Sequence, residues 1–332
     1  MILVTGGTGL VGMHLLLELT QENTPVRSTF RSMEKVKEVE AFFAFAKAEK
    51  QFKTIDWIQA DITDIPSLEL AFKDITHVYH CAALISFNPY DFQKLLKTNV
   101  EGTANVVNLC LSHQVQKLCH LSSIAALSKL PNDPITEENI WDPNETNSVY
   151  AISKYGAEME VWRATQEGLN AIIFNPTVIL GEGDYTKGSG VLCHHVLKEK
   201  NFYPKGGSGF VDVKDVVNLM IQGLSSPITK ERYILVGENT SYKDILQRMA
   251  KQFSKKPPKK ALSNRLLKIL VAGDSLLGLF TRKRKMTRIS AKGIQEMKRF
   301  SAEKAKQELS YVPTPIEETL ERIGRHIATK NL

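Results

Sequence analysis

The stretch Thr5-Gly6-Gly7-Thr8-Gly9-Leu10-Val11-Gly12 constrains the fold most, because it sets three glycines three residues apart between an apolar run and a helix. Ile2-Leu3-Val4 is short and branched enough for a buried strand, and Leu10, Val11, His14, Leu15, Leu17 and Glu18 read as the first turns of a helix. The glycines therefore occupy a strand-to-helix turn. A helix N-terminus presents unpaired N–H groups and a partial positive charge, and glycine lets a pyrophosphate approach the backbone closely. Gly6, Gly9 and Gly12, with Thr8, Leu10 and Val11 among them, form the candidate cradle. The spacing G-x-x-G-x-x-G differs from the G-x-G-x-x-G of most dinucleotide folds, so the turn alone does not establish a ligand.

Strand and helix patterns keep alternating after this first unit. Strands are expected at Pro25 to Phe30, Ile55 to Gln59, Val78 to Ala82, Lys117 to Leu121 and Ala171 to Phe174. Helices are expected at Met33 to Lys50, Pro66 to Phe72, Tyr90 to Ser112 and Ser148 to Gln166. Such alternation implies an α/β fold, a doubly wound parallel sheet with helices on both faces. Beyond Pro176 the rhythm breaks into Gly-rich loops, a helix near Val191 to Lys200, a short strand near Phe210 and helices from Ser241 onward. The expected division is a nucleotide-binding domain over 1–176, to which segments near 210–236 return, and a smaller, mainly helical substrate lobe over 177–332.

Charge narrows the partners. Lys and Arg number 43 against 36 Asp and Glu, an excess of +7 that is modest for a nucleic-acid binder of 332 residues. Much of it falls late, in Lys255, Lys256, Lys259 and Lys260 around a Pro-Pro pair and in Arg282-Lys283-Arg284-Lys285, which read as a solvated loop and a helix end. Between them, Ala261 to Phe280 is rich in leucine but interrupted by Arg265, Lys268 and Asp274, so it cannot span a membrane. It reads first as a lid over a substrate cleft and second as a helix touching a membrane surface. Cys81, Cys110, Cys119 and Cys193 show neither a C-x-x-C pair nor metal-ligand spacing, and read as buried free thiols with no metal. No charged and apolar leader precedes the first strand, which makes a cytoplasmic protein the expectation.

Two further features carry chemistry. In Tyr150-Ala151-Ile152-Ser153-Lys154, a phenol and an ammonium stand four residues apart at the start of a helix, hence on one face. A nearby ammonium stabilises phenolate and lowers a phenol pKa from about 10, which fits Tyr150 for acid–base work. Leu121-Ser122-Ser123 ends a strand with hydroxyls, where a side chain reaches the cleft.

Taken together, these motifs resemble the extended short-chain dehydrogenases/reductases, of the NAD-dependent epimerase/dehydratase superfamily. In the family's order stand T-G-G-T-G-L-V-G, A-D-I-T-D at Ala60 to Asp64, H-C-A-A at His80 to Ala83 and T-N-V-E-G-T-A-N-V at Thr98 to Val106. L-S-S, Y-A-I-S-K, F-V-D-V-K-D-V at Phe210 to Val216 and the closing F-S-A-E-K-A-K-Q-E-L-S-Y-V-P-T-P come after them. The resemblance implies that Tyr150 is the acid/base, that Lys154 holds the nicotinamide ribose and tunes Tyr150, and that Ser123 binds the reacting oxygen. It implies that Asn99 supports the proton relay, that Asp61 and Ile62 lie beside the adenine, and that Ala82 and Ala83 lie along the ribose and phosphates. Pro176 to Val178 would line the nicotinamide. Homodimers are common in the family and are a further expectation.

A carboxylate ending the second strand would bind the ribose hydroxyls of NAD, whereas an arginine there pairs with the 2′-phosphate of NADP. Here the strand ends Thr29-Phe30-Arg31-Ser32, so Arg31 points to NADP, with NAD as the other cofactor. Many sugar-nucleotide members carry Arg-Asp-Phe where this chain reads Ser208-Gly209-Phe210, which weighs against a nucleotide sugar unless Lys205 or Lys187 compensates. Leu84-Ile85-Ser86-Phe87, Tyr185 and Phe202 are apolar enough for a greasy pocket, with Ser86, Phe87 and Tyr185 the candidate substrate contacts. The expected function is hydride transfer to a carbonyl or from an alcohol of a small, mostly apolar molecule, in the branch resembling dihydroflavonol reductases and 3β-hydroxysteroid dehydrogenases. A nucleotide-sugar epimerase or dehydratase is the alternative, and a dinucleotide sensor without turnover the third reading.

Overall fold

A computed structural model describes residues 1–128, 133–284 and 287–330; Lys285 of the second basic cluster lies outside them. Its strands run β1 (Ile2–Thr5), β2 (Val26–Phe30), β3 (Asp56–Gln59), β4 (His77–His80), β5 (Lys117–Leu121) and β6 (Ala171–Pro176). They continue as β7 (Val178–Leu180), β8 (Phe202–Tyr203), β9 (Gly207–Asp212), β10 (Glu231–Leu235), β11 (Glu238–Ser241) and β12 (Lys260–Ala261). Seven of them form one sheet in the order β3-β2-β1-β4-β5-β6-β10, with every pairing parallel.

Alternation along each strand sends neighbours to opposite faces, and both faces are covered. Val4, Tyr79, Cys119 and Ile172 join one buried cluster, packed with Leu15, Leu16, Val216 and Met220 of two helices. Leu3, Val78, Leu118 and Ile173 join the other, packed with Val106, Val107, Val161 and Ala164. This is the doubly wound sheet expected from the alternation.

Because the strands are parallel, their carboxyl ends lie on one edge. Gly6 follows β1, Arg31 follows β2, Asp61 lies just past β3, Ala82 just past β4, Ser123 just past β5, and Pro176 closes β6. The strand order reverses between β1 and β4, and in open α/β sheets the ligand crevice opens at such a switch point.

Two expected helices are broken where the pattern read as continuous. The helix expected over Met33 to Lys50 stops at Phe45, where Lys47 takes a positive φ of 58°, and a short helix resumes at Glu49–Phe52. The single helix expected from Tyr90 to Ser112 is built in pieces, with a π turn at Leu96–Glu101 ahead of the helix Gly102–Ser112. The later half is mainly helical, as expected, but it adds strands that the pattern did not announce: β7, β9 and β11 form a three-stranded sheet, and β8 pairs with β12. The strand expected to end at Phe174 runs on to Pro176, and Thr177 alone separates it from β7 in the second sheet. A third cluster, including Tyr185, Phe210, Ile245 and Leu320, forms the core of this lobe. Asp212 and Asp215 of the F-V-D-V-K-D-V segment hold the C-terminal chain to it. Asp212 accepts from Thr319 Oγ1 at 2.6 Å and Arg322 at 2.8 Å, and Asp215 from Thr314 and Tyr311.

Candidate active site

The turn after β1 is packed so closely that glycine is required at two of the three motif positions. Gly6 has φ +74°, and a Cβ there would lie 2.6 Å from the Ala82 nitrogen; a Cβ on Gly12 would lie 2.2 Å from the Gly6 carbonyl oxygen. Gly9 is different. Its φ is −89°, and a Cβ would meet only the Gly6 oxygen, at 3.3 Å. Nothing inside the protein demands glycine there, and Gly9 is the exposed N-cap of the helix Leu10–Gln21, which has no side-chain cap. The first N–H groups of that helix are thus offered to an outside acceptor, and the missing Cβ leaves room for it. Val11 packs its side chain into the core, so only its backbone faces this cradle.

Arg31 is 69% exposed at the side chain, with its Nη1 3.6 Å from Asp61 Oδ2. Asp61 itself is tied to the Thr63 N–H and hydroxyl at 2.9 and 2.8 Å, which hold its carboxyl below the usual range despite partial burial. Ile62 is buried against Gly102 and is part of the core. Cradle, cation and β3 turn lie along one edge, an arrangement that fits a dinucleotide.

At the β5 end the two serines divide the work. Ser122 is buried and donates to Glu158 Oε2 at 2.6 Å. Ser123 caps the short turn Ile124–Ala126 by accepting from the Ala125 N–H at 3.1 Å, and it is near enough to the Tyr150 hydroxyl to favour its ionised form. Ser148 caps the helix Val149–Gln166, so Tyr150 and Lys154 stand on its first two turns. Lys154 is almost fully buried and donates to the Leu121 carbonyl at 3.0 Å.

Beside the tuning of Tyr150 by Lys154 expected from the sequence stands an opposing effect, the burial of the phenol. Burial pushes the phenol up to about 12, with the nearby Ser123 hydroxyl pulling the other way. Burial likewise holds Lys154 down at about 8, against support from Glu158 and Cys81. The ammonium is itself desolvated and donates to Leu121, which limits how strongly it stabilises phenolate.

That buried lysine yields a stability prediction. Between pH 8 and 10.5 the unfolded chain binds a proton on Lys154 that the folded chain does not, so this group's contribution to stability rises with pH across that window. Below pH 8 its cost is complete, on the order of 3 kcal/mol at most. Lys154→Met is therefore expected to raise the unfolding free energy by about 2 kcal/mol at pH 7 after loss of the Leu121 hydrogen bond. The gap from wild type should close as pH approaches 10.5, read from urea unfolding; a destabilised variant at pH 7 would reject the argument.

Asn99 lies in the π turn and is buried. Its amide brackets the Leu84 peptide, accepting from its N–H at 2.7 Å and donating to its carbonyl at 2.9 Å, and donates to Ser153 Oγ at 2.9 Å. The structure thus brings Asn99 to the loop after β4 and to the helix carrying Tyr150. Ala82 backs onto Gly6, whereas Ala83 is exposed beside the cleft. Pro176 is buried at the end of β6, and Val178, half-buried, opens β7.

The candidate substrate residues separate. Phe87 is 49% exposed and stands edge-on to Tyr150, ring centroids 5.4 Å apart. Ser86 donates to Asp91 at 2.6 Å and accepts from the Asn88 N–H, so it shapes the loop that carries Phe87. Tyr185 does not face the cleft, contrary to expectation. It is buried in the lobe's core with its hydroxyl 2.6 Å from His326 Nδ1. An aromatic in a Gly-rich loop looked free to meet a ligand, but packing against the last helix claims it.

Glu158, one turn beyond Lys154, was missed by the sequence reading. It is fully buried and accepts from Ser122, Asn175 Nδ2 at 2.8 Å, Trp162 Nε1 at 3.3 Å and Arg232 at 3.1 Å. Asn175 also donates to the Ser123 carbonyl at 3.0 Å. The carboxylate thereby fixes the backbone on which Ser123 sits. Only its position four residues after Lys154 hinted at such a role.

Comparison with known proteins agrees with this architecture. The family model described as the NAD dependent epimerase/dehydratase family matches residues 2–237. "Sterol demethylase protein B" of Methylococcus capsulatus is 27% identical over 318 residues, covering 94% of this chain and 93% of that protein. "Cinnamoyl-CoA reductase 1" of Oryza sativa subsp. japonica is 26% identical over 268 residues, covering 77% of each. Among solved structures, the crystal structure of gox2253 superimposes with a TM-score of 0.81 at 27% identity, covering 99% of this chain and 98% of that one. With the glycine cradle, the doubly wound sheet and the Ser123, Tyr150 and Lys154 cluster in one cleft, the chain belongs to the NAD dependent epimerase/dehydratase family.

Proposed function

We propose that the protein is an NADP-dependent carbonyl reductase or alcohol dehydrogenase acting on a small, mostly apolar molecule, with Tyr150 as the acid/base. The observation that carries the reading is the convergence of Ser123 and Tyr150, one helical turn from a buried ammonium and with the Phe87 ring edge-on to the phenol. In this reading the Gly6 to Gly12 backbone holds the pyrophosphate and Arg31 the 2′-phosphate. Asp61, Ile62, Ala82 and Ala83 flank the adenosine half, and Lys154, Pro176 and Val178 the nicotinamide half. Bound there, the nicotinamide supplies or accepts the hydride. Tyr150 Oη donates its proton to the oxygen on which negative charge develops, and the Ser123 hydroxyl donates a second hydrogen bond to that oxygen. Burial keeps the phenol protonated through the neutral range, the form that reduction uses.

Apolar surface at the mouth supports the substrate class: Phe87 is exposed edge-on to Tyr150, and Ile85, two residues earlier in the same loop, is exposed as well. The relatives' names, a cinnamoyl-CoA reductase and a sterol demethylase protein, point the same way. Against a nucleotide sugar stands the β9 position where an arginine would be needed. Ser208 is buried there, and a Cβ on Gly209 would fall 2.6 Å from Thr177 Cγ2. Lys187 is exposed, 3.9 Å from Asp184.

Nicotinamide fluorescence titration tests the cofactor half. NADPH is expected to bind about tenfold or more tighter than NADH, and Arg31→Asp to remove that preference, as loss of a charge-assisted contact to phosphate requires. Equal or tighter NADH binding by the wild type would overturn it.

A further inference from the structure

The helix Asn264–Thr281 shows solvent a face that a buried lid would not. Leu267 and Val271 pack inward on Ala291, Leu262 and Ile294. The opposite side exposes Ile269, Leu270, Leu276, Leu277 and Phe280, the last 89% accessible. These five share one stripe at helical spacing. Arg265 and Lys268 border the stripe, and Arg282 and Lys283 follow its end, all exposed.

Charge around this helix is exceptional for the chain. Residues 255–292 hold twelve Lys and Arg against one Asp, so the remainder of the chain is net negative by four and the whole positive excess resides here. Asp274, the one acid, lies 3.4 Å from Arg284. A second copy docked by this face would set the same positive charge against itself, and a nucleic acid has no use for five solvent-facing apolar side chains.

We propose that this face is a docking surface for an anionic phospholipid bilayer, the apolar stripe entering the headgroup boundary and the cations meeting lipid phosphates and carboxylates. The helix lies along the surface; no helix among the described residues is long and apolar enough to cross a membrane. Its C-terminal end is fastened to the site. Asn88 Nδ2 donates to the Arg282 carbonyl at 3.2 Å, and the Arg284 N–H donates to Asn88 Oδ1 at 3.2 Å. Asn88 adjoins Phe87, which lies against Tyr150, so docking brings the mouth of the cleft to the bilayer. That delivery of an apolar substrate from lipid rests on the proposed function, whereas docking itself does not.

Sedimentation of the full chain with vesicles separates the two, because no turnover is read. At about 0.15 M salt the wild type is expected to pellet with vesicles of phosphatidylcholine containing about 30% phosphatidylserine and to stay in solution with phosphatidylcholine alone. Leu276→Ser with Phe280→Ser, and separately Lys268→Glu with Lys283→Glu, are expected to weaken binding about tenfold or more while melting temperature and NADPH affinity stay at wild-type values. Wild type that remains soluble with the anionic vesicles would overturn the proposal, as would equal binding to neutral vesicles. A concentration-dependent dimer dissolved by the serine substitutions would overturn it too, making the stripe a self-interface.

Discussion

Tyr150→Phe is expected to lower kcat/KM about a thousandfold, with the melting temperature and the NADPH dissociation constant unchanged. The substitution deletes one oxygen. Phe87 keeps its edge-on ring partner, because the ring survives. Ser123 keeps its bond from the Ala125 N–H, because that bond belongs to the turn. What disappears is the proton and one of the two hydrogen bonds to the developing alkoxide, so the loss falls on the chemical step rather than on binding. Removing Ser123 as well, by Ser123→Ala in the same chain, should cost far less than in the wild type, since the two hydroxyls act as a unit. The measurement is NADPH consumption with the best carbonyl found by screening a library. A variant that keeps most of its rate would remove Tyr150 from the chemistry, and full retention of a biological effect without turnover would favour the dinucleotide-sensing reading.

The parts of the site that could be read in the sequence are those carried by local pattern. Gly6 and Gly12 are dictated by a turn folded onto its own backbone, and such a turn writes itself into consecutive residues. Tyr150 and Lys154 share a helix face by spacing alone, and Ser123 comes two residues after the strand that Lys117 to Leu121 announces. The parts that were not legible depend on what distant segments bring. Tyr185 is withdrawn from the cleft by His326, 141 residues later, and no local signal announces that contact. The π turn that aims Asn99 at Leu84 has the composition of ordinary helix. The strand near Phe210 was legible, but its Gly-Ser-Gly start and its pairing with β11, across a helix and another strand, were not. Tuning of Tyr150 by Lys154 followed from adjacency, whereas the desolvation that opposes it at both groups is something sequence spacing does not report.

Glu158→Ala is the second large effect expected, and it falls on stability first. The carboxylate gathers donors from β5 through Ser122, from β6 through Asn175, from its own helix through Trp162 and from β10 through Arg232. Removing it strands a guanidinium that is 21% exposed and leaves several inward-facing donors unsatisfied, and breaking a buried pair from one side costs about 3 to 5 kcal/mol. Arg232 retains its bonds to the Glu137 and Asn139 carbonyls, which keeps the lower end of that range the better expectation. Glu158→Gln preserves shape and one acceptor oxygen but turns an N–H₂ toward a cluster made of donors, so it should cost about half as much. The catalytic consequence distinguishes a positioning residue from a mere structural one. Asn175 holds the Ser123 carbonyl and Ser122 is its neighbour, so relaxing this cluster lets the Ser123 hydroxyl drift from Tyr150. In Glu158→Gln, assayed where the protein is still folded, kcat should fall about tenfold or more with KM for NADPH nearly unchanged. An unaltered kcat in a destabilised variant would confine Glu158 to the core, whereas a fall in kcat that Ser123→Ala does not deepen would tie its effect to that hydroxyl.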